Sequence, residues 1–127
     1  IKEVSEKFNI SQDTLRYYER IGLIPPVSRT ASGIRNYQES DLGWVENAVC
    51  MRSAGVPIEA LIEYVKLFQI GDSTFEARRQ LLKEQYDILM GQKQQIEATM
   101  ERLKYKVSRY EEAVKTGVLT WEEKECK

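Results

Sequence analysis

The sequence predicts a mainly α fold: a winged helix-turn-helix domain with a small β-hairpin wing, followed by a long dimerisation helix that pairs as a coiled coil. Three observations carry this prediction. Two short amphipathic segments break at Asn9-Ile10, a turn signal flanked by arginines follows them, and apolar residues recur every seven positions from Phe75 to Tyr110.

Val4, Phe8, Ile10 and Leu15 are spaced like the inward faces of two short helices. Ser11 opens the second, where its hydroxyl caps free backbone N–H groups and Asp13 or Thr14 suits the positive end of the helix dipole. The helix is expected to end near Gly22, which tolerates a left-handed terminus, and Pro25-Pro26 forbid continuation. Leu15, Tyr18 and Ile21 or Leu23 fall on one side of it, and Gln12, Arg16, Tyr17 and Arg20 lie largely on the other. Arg29, Arg35 and Tyr37 then flank the turn signal Ala31-Ser32-Gly33, with Val27 and Ile34 on either side, as in a hairpin. A third helix is expected over Asp41 to Ser53, capped by Ser40, and Pro57 at a helical first turn opens a fourth running through Phe68. Gly71-Asp72-Ser73 interrupts, and from about Thr74 one helix runs to Thr116-Gly117.

Along that last helix Phe75, Leu82, Leu89, Ile96, Leu103 and Tyr110 form one apolar row, and Tyr86, Met100, Val107 and Val114 form a second. Packing within one subunit fits poorly, because roughly forty residues at about 1.5 Å each span about 60 Å, more than so small a domain is wide. A homodimer joined along this stripe is expected. Arg79 and Lys93 interrupt the second row, either setting the register or facing an acidic group of the partner. The domain organisation is therefore 1–70 for the winged helix-turn-helix domain, 71–117 for the coiled-coil dimerisation helix and 118–127 for a short tail.

An outward row of Gln, Arg and Tyr is what a major-groove helix needs: Arg clasps guanine or phosphate, Gln reads adenine, and a Tyr hydroxyl holds phosphate. The same row also fits an ordinary amphipathic helix with a solvated face. The wing tips the balance. Between Thr14 and Tyr37 four arginines stand against one glutamate, a local charge of +3, whereas the whole chain of 127 residues carries −1. That argues against indiscriminate nucleic-acid binding and for a local, salt-sensitive footprint on double-stranded DNA.

The run T-L-R-Y-Y-E-R-I-G-L-I, then R-x-x-x-G-x-R-x-Y, then D-L-x-x-V and G-V-P-I-E-A-L, resembles the MerR family of bacterial transcription regulators over roughly the first seventy residues. Ile34 departs from it, since the family more usually has an aromatic residue between the wing Gly and Arg. The resemblance implies a dimer that binds a palindromic promoter element and distorts it, realigning the promoter for RNA polymerase. It also implies that the long helices pair antiparallel, each reaching toward the other subunit's DNA-binding half. On these grounds the expected DNA-binding set is Ser11, Gln12, Thr14, Arg16, Tyr17, Arg20, Arg29, Arg35 and Tyr37. Arg16 touches a base or phosphate, and Tyr17, Arg20, Arg29, Arg35 and Tyr37 are assigned to phosphates.

What the regulator senses is constrained mainly by absences. There is no His, and Cys50 and Cys126 are far apart in sequence, so no C-x-x-C or Cys-His set offers a metal site; no metal or cofactor is expected. A cluster bound by four thiolates of a single subunit is excluded. Nor is the large ligand-binding C-terminal domain that some members of the family possess expected here. Cys50 falls almost opposite the centre of the third helix's apolar face, beside Gly43, Glu46 and Asn47. A free Cys is commonly a small buried hydrophobe, yet this position admits reagents or a contact with the partner's long helix. A Cys here resembles the family's aldehyde- and thiol-stress-responsive subgroup, which implies a sensor that a small electrophile such as an aldehyde modifies. Cys126, in the charged tail, is expected to be exposed and dispensable.

No signal peptide or membrane span is found, so a cytoplasmic protein with no membrane partner is expected, and the start at Ile1 suggests that a residue or two precedes it. Two other readings stay open: a regulator of this type without cysteine sensing, and a coiled-coil protein-interaction module. An enzyme is not expected, because without His, a Gly-rich phosphate loop or a metal cluster no matched nucleophile and base can be assembled.

Overall fold

The computed structural model of the chain describes residues 1–121. Among the described residues five α-helices follow one another: α1 Lys2–Phe8, α2 Gln12–Ile21, α3 Glu39–Ser53, α4 Ile58–Ile70 and α5 Phe75–Thr116, with a 3₁₀ turn, Asp72–Thr74, before α5.

Each short helix is delimited by local chemistry. α1 stops at Asn9, which takes a left-handed conformation with φ 54°, and Ser5 Oγ donates to Ile10 O at 2.5 Å across the turn into α2. At the head of α2 Ser11 Oγ accepts from Thr14 N at 3.0 Å. At its foot Gly22 has φ 85°, with Leu23 N donating to Tyr18 O at 2.9 Å and Gly22 N to Glu19 O at 3.3 Å. This paired closure needs a positive φ that glycine adopts without a Cβ clash. Gly55 closes α3 in the same way, its N–H donating to Arg52 O while Val56 N donates to Met51 O.

Two boundaries differ from expectation. α3 begins at Glu39 and its cap is Gln38, not Ser40, because the Asp41 carboxylate reaches back to accept the Gln38 N–H at 2.8 Å. That capping box opens the first helical turn at Glu39 and leaves Ser40 inside the helix. α4 runs on to Ile70, and Pro57 sits just outside it at the cap position.

Leu15, Ile24, Val45, Ala48, Val4 and Val27 form the core, with Phe8, Ile10, Tyr18 and Tyr37 packed against it. Leu23, rather than Ile21, is the fully buried residue at the end of α2. The wing is reduced to one antiparallel bridge between Arg29 and Arg35, without extended strands. Asn36 N donates to Ser28 O at 2.7 Å and Thr30 N to Ile34 O at 2.8 Å, and Gly33 (φ 85°) turns the tip.

The α4–α5 corner is tied by Thr74 Oγ1, which lies 2.7 Å from both Leu67 O and Gly71 O and donates its one hydrogen to either, and by Arg78, whose Nε donates to Thr74 Oγ1 and whose Nη2 donates to Gly71 O. That guanidinium also lies over the Phe75 ring, 4.7 Å from its centroid. Two compact units result, Ile1–Gln85 and a second beginning at Tyr86, so the division falls inside α5. In the second unit Gly117 turns the chain, Arg109 donates to Thr120 through its Nε and Nη2, and Trp121 packs edge-on against Tyr110. Cys126 lies outside the described residues.

Candidate nucleic-acid interface

Gln12, Arg16 and Arg20 recur at intervals of four along α2, so they share one stripe, with Tyr17 beside it. Arg16, 44% exposed, is held by Asp13 Oδ1 at 2.9 Å and Gln12 Oε1 at 3.4 Å. Arg20 lies over the exposed Tyr17 ring, its guanidinium carbon 5.3 Å from the centroid. Ser11 and Thr14 are partly occupied with each other: their hydroxyls are 2.8 Å apart while Ser11 Oγ also accepts the Thr14 N–H. They secure the helix entry.

The wing arginines meet an acid that sequence reasoning treated only as a counter-charge. Glu19, 10% exposed in its side chain, accepts Arg35 Nε at 2.7 Å and Arg29 Nη2 at 3.4 Å through Oε1, and the Val27 N–H at 2.7 Å through Oε2. Burial raises its carboxyl pKa, but the Val27 hydrogen bond and the Arg35 and Arg29 charges outweigh burial and hold it below its ordinary value. Arg29 also donates through Nη1 to Gly33 O, bracing the wing tip. The sequence signal for Glu19 was its isolation, the one acid in the +3 stretch.

Tyr37 is placed differently from the other assigned residues. Its hydroxyl is buried and has no hydrogen-bond partner among the described residues, and its ring packs on the core. Burial raises its pKa, Arg35 opposes this, and Glu19 and Asp41 reinforce it. A hydroxyl so enclosed cannot meet a phosphate unless the wing moves.

Cys50 is exposed. It lies one turn beyond Asn47 on the face where Ser40, Gly43, Trp44, Asn47 and Tyr64 line a hollow of about 390 Å³. The Cys50 carbonyl accepts from Ser53 Oγ at 2.7 Å and from Ala54 N at 3.2 Å. Among the described residues no group of three or more His, Cys, Asp or Glu is placed to hold a metal ion.

No residue of α5 is buried. Phe75, Leu82, Ile96, Leu103 and Tyr110 are exposed and Leu89 is half-buried, while in the second row Tyr86, Met100, Val107 and Val114 are exposed. Arg79 and Lys93, which interrupt that row, pair with acids of their own helix: Arg79 with Glu76, and Lys93 with Glu97 at 3.9 Å. No described helix is long and apolar enough to cross a membrane.

Comparison with known proteins adds to this geometry. The family model described as MerR family regulatory protein matches residues 1–37. The chain is 55% identical over 85 residues to the HTH-type transcriptional regulator AdhR of Bacillus subtilis (strain 168), a match spanning 67% of this chain and 61% of that protein. It superimposes with a TM-score of 0.84 on the crystal structure of a protein from Listeria monocytogenes assigned to the MerR family of transcriptional regulators, at 47% identity over 87% of this chain and 83% of that one. A TM-score of 0.80 relates it to HiNmlR, a MerR family regulator lacking the sensor domain and crystallised on promoter DNA, at 31% identity over 90% of each chain.

Proposed function

Because the chain belongs to the MerR family of transcription regulators, we propose that it binds a palindromic promoter element as a homodimer, distorts that DNA for RNA polymerase, and responds to an aldehyde or related electrophile at Cys50. The observation that carries the DNA-binding part is the stripe of Gln12, Arg16 and Arg20 on α2, standing beside a wing whose arginines are tied to that same helix. In this reading Arg16 and Gln12 read bases, and Tyr17, Arg20, Arg29 and Arg35 hold phosphates. Residues 71–117 pair along the seam of Phe75, Leu82, Leu89, Ile96, Leu103 and Tyr110, antiparallel, and the protein works in the cytoplasm.

The sensing part is supported by the exposure of Cys50 and by the kinship to AdhR. The thiol adds to the carbonyl carbon of the aldehyde, its proton passing to the carbonyl oxygen, and the resulting bulk shifts the dimer between two DNA-bound shapes. A regulator without cysteine sensing is the second reading, favoured by the hollow on the Cys50 face of α3, whose lining is Ser40, Gly43, Trp44, Asn47 and Tyr64 and does not include Cys50. Promoter-duplex bending, followed by energy transfer between end labels before and after formaldehyde, tests the pair. A change in the wild type that is lost in Cys50→Ser supports the sensor; an equal change in both proteins overturns it.

A further inference from the structure

Glu19 stands where an acid is least welcome to DNA, on the recognition helix inside a stretch of net +3. Its carboxylate nevertheless gathers three donors from the wing side: the Val27 N–H at the wing's entry and the guanidiniums of Arg29 and Arg35, the two residues that form the wing's bridge. Those partners lie 8, 10 and 16 residues away in sequence, so one side chain ties both arms of the wing to α2.

We propose that Glu19 is a positioning residue for DNA recognition, locking the wing against α2 so that Arg29, Arg35 and the Gln12–Arg16–Arg20 stripe meet the duplex as one surface. The proposal rests on the DNA-binding reading above. Arg35 commits its Nε to Glu19 at 2.7 Å, which aims the remaining N–H donors of its fork in a fixed direction. An unheld arginine has to be ordered at the moment of binding, and that ordering weakens the complex.

Electrostatics alone predicts the opposite sign for the loss of Glu19. Removing one negative charge near the backbone strengthens binding to every duplex alike. Positioning predicts weaker binding to the chosen site and no loss elsewhere.

Glu19→Gln keeps an acceptor for the Val27 N–H and removes the charge that holds the guanidiniums. Wild type and E19Q are titrated at one salt concentration with a duplex that the wild type has selected from a random pool, and with a scrambled duplex of the same composition. Affinity for the selected duplex is expected to fall about tenfold or more while the scrambled one is unchanged or tighter, since a charged hydrogen-bond network of this kind is worth at least that factor. Amide exchange at Thr30 and Asn36 is expected to quicken while that of the α2 interior does not. An unchanged ratio between the two duplexes, or a proportional rise in both, overturns the proposal. Where E19Q does not fold, Glu19→Asp, which keeps the charge but draws it back by one methylene, must show the same fall in ratio. A wild type that selects no duplex overturns the DNA-binding reading itself, before any variant is made.

Discussion

Arg16 is held by Asp13 and Gln12, one turn earlier on the same helix, and its side chain is 44% exposed. As a reader of bases, its replacement by alanine is expected to cost about 1–3 kcal/mol at the preferred site and to relax the preference at one position. Fluorescence anisotropy on single-substitution duplexes checks this, and a uniform loss across all duplexes marks Arg16 as a phosphate contact instead. Glu19 gives a pH prediction. Its folded pKa lies below the ordinary 4.5, so its contribution to stability is complete above that value and fades as pH falls through the folded one. The melting-temperature difference between wild type and E19Q is expected to shrink below about pH 4.5, and a constant difference down to strongly acid pH removes the ion pairs from the account. Arg16 was legible in the sequence because its neighbours on a helix are fixed by spacing. Glu19 and the buried Tyr37 hydroxyl were not, since both are defined by contacts that exist only after the wing folds back on α2.

Helix boundaries, by contrast, are chosen by a few adjacent residues. Ser11, Gly22 and Asn9 act within one turn, so the ends of α1 and α2 could be read directly. The start of α3 could not, because Ser40 and Gln38 compete for the cap and the outcome depends on the Asp41 carboxylate. Ser11→Ala is expected to cost about 1 kcal/mol of stability, as loss of an N-cap does. Chemical denaturation measures it, and an unchanged midpoint shows that the Thr14 N–H finds another acceptor. The turn signal Ala31-Ser32-Gly33, with Val27 and Ile34 on either side, pointed to a hairpin, and its single bridge reflects how short the arms are between Val27 and Tyr37.

Taken as a molecule, the chain carries an amphipathic stripe along a helix of 42 residues, about 63 Å at about 1.5 Å per residue, and none of those residues is buried. The seven-residue period announced pairing because it is a property of the sequence, whereas partner and orientation belong to an assembly. Placing a charge in the seam, as in Ile96→Asp, is expected to give a monomer by sedimentation velocity, with the compact unit Ile1–Gln85 still folded because position 96 lies outside it. Such a monomer has lost one half-site reader and binds the selected duplex far more weakly. An Ile96→Asp protein that remains a dimer places the interface elsewhere. The central claim is a specific, phosphate-anchored DNA contact through α2 and the wing. It is tested most directly by titrating the wild-type chain with its selected duplex across a range of salt concentrations. The account predicts a linear fall of log affinity with log salt, steeper by about 0.9 for each phosphate held, together with preference over a scrambled duplex. Affinity that ignores salt, or that does not distinguish the two duplexes, contradicts it.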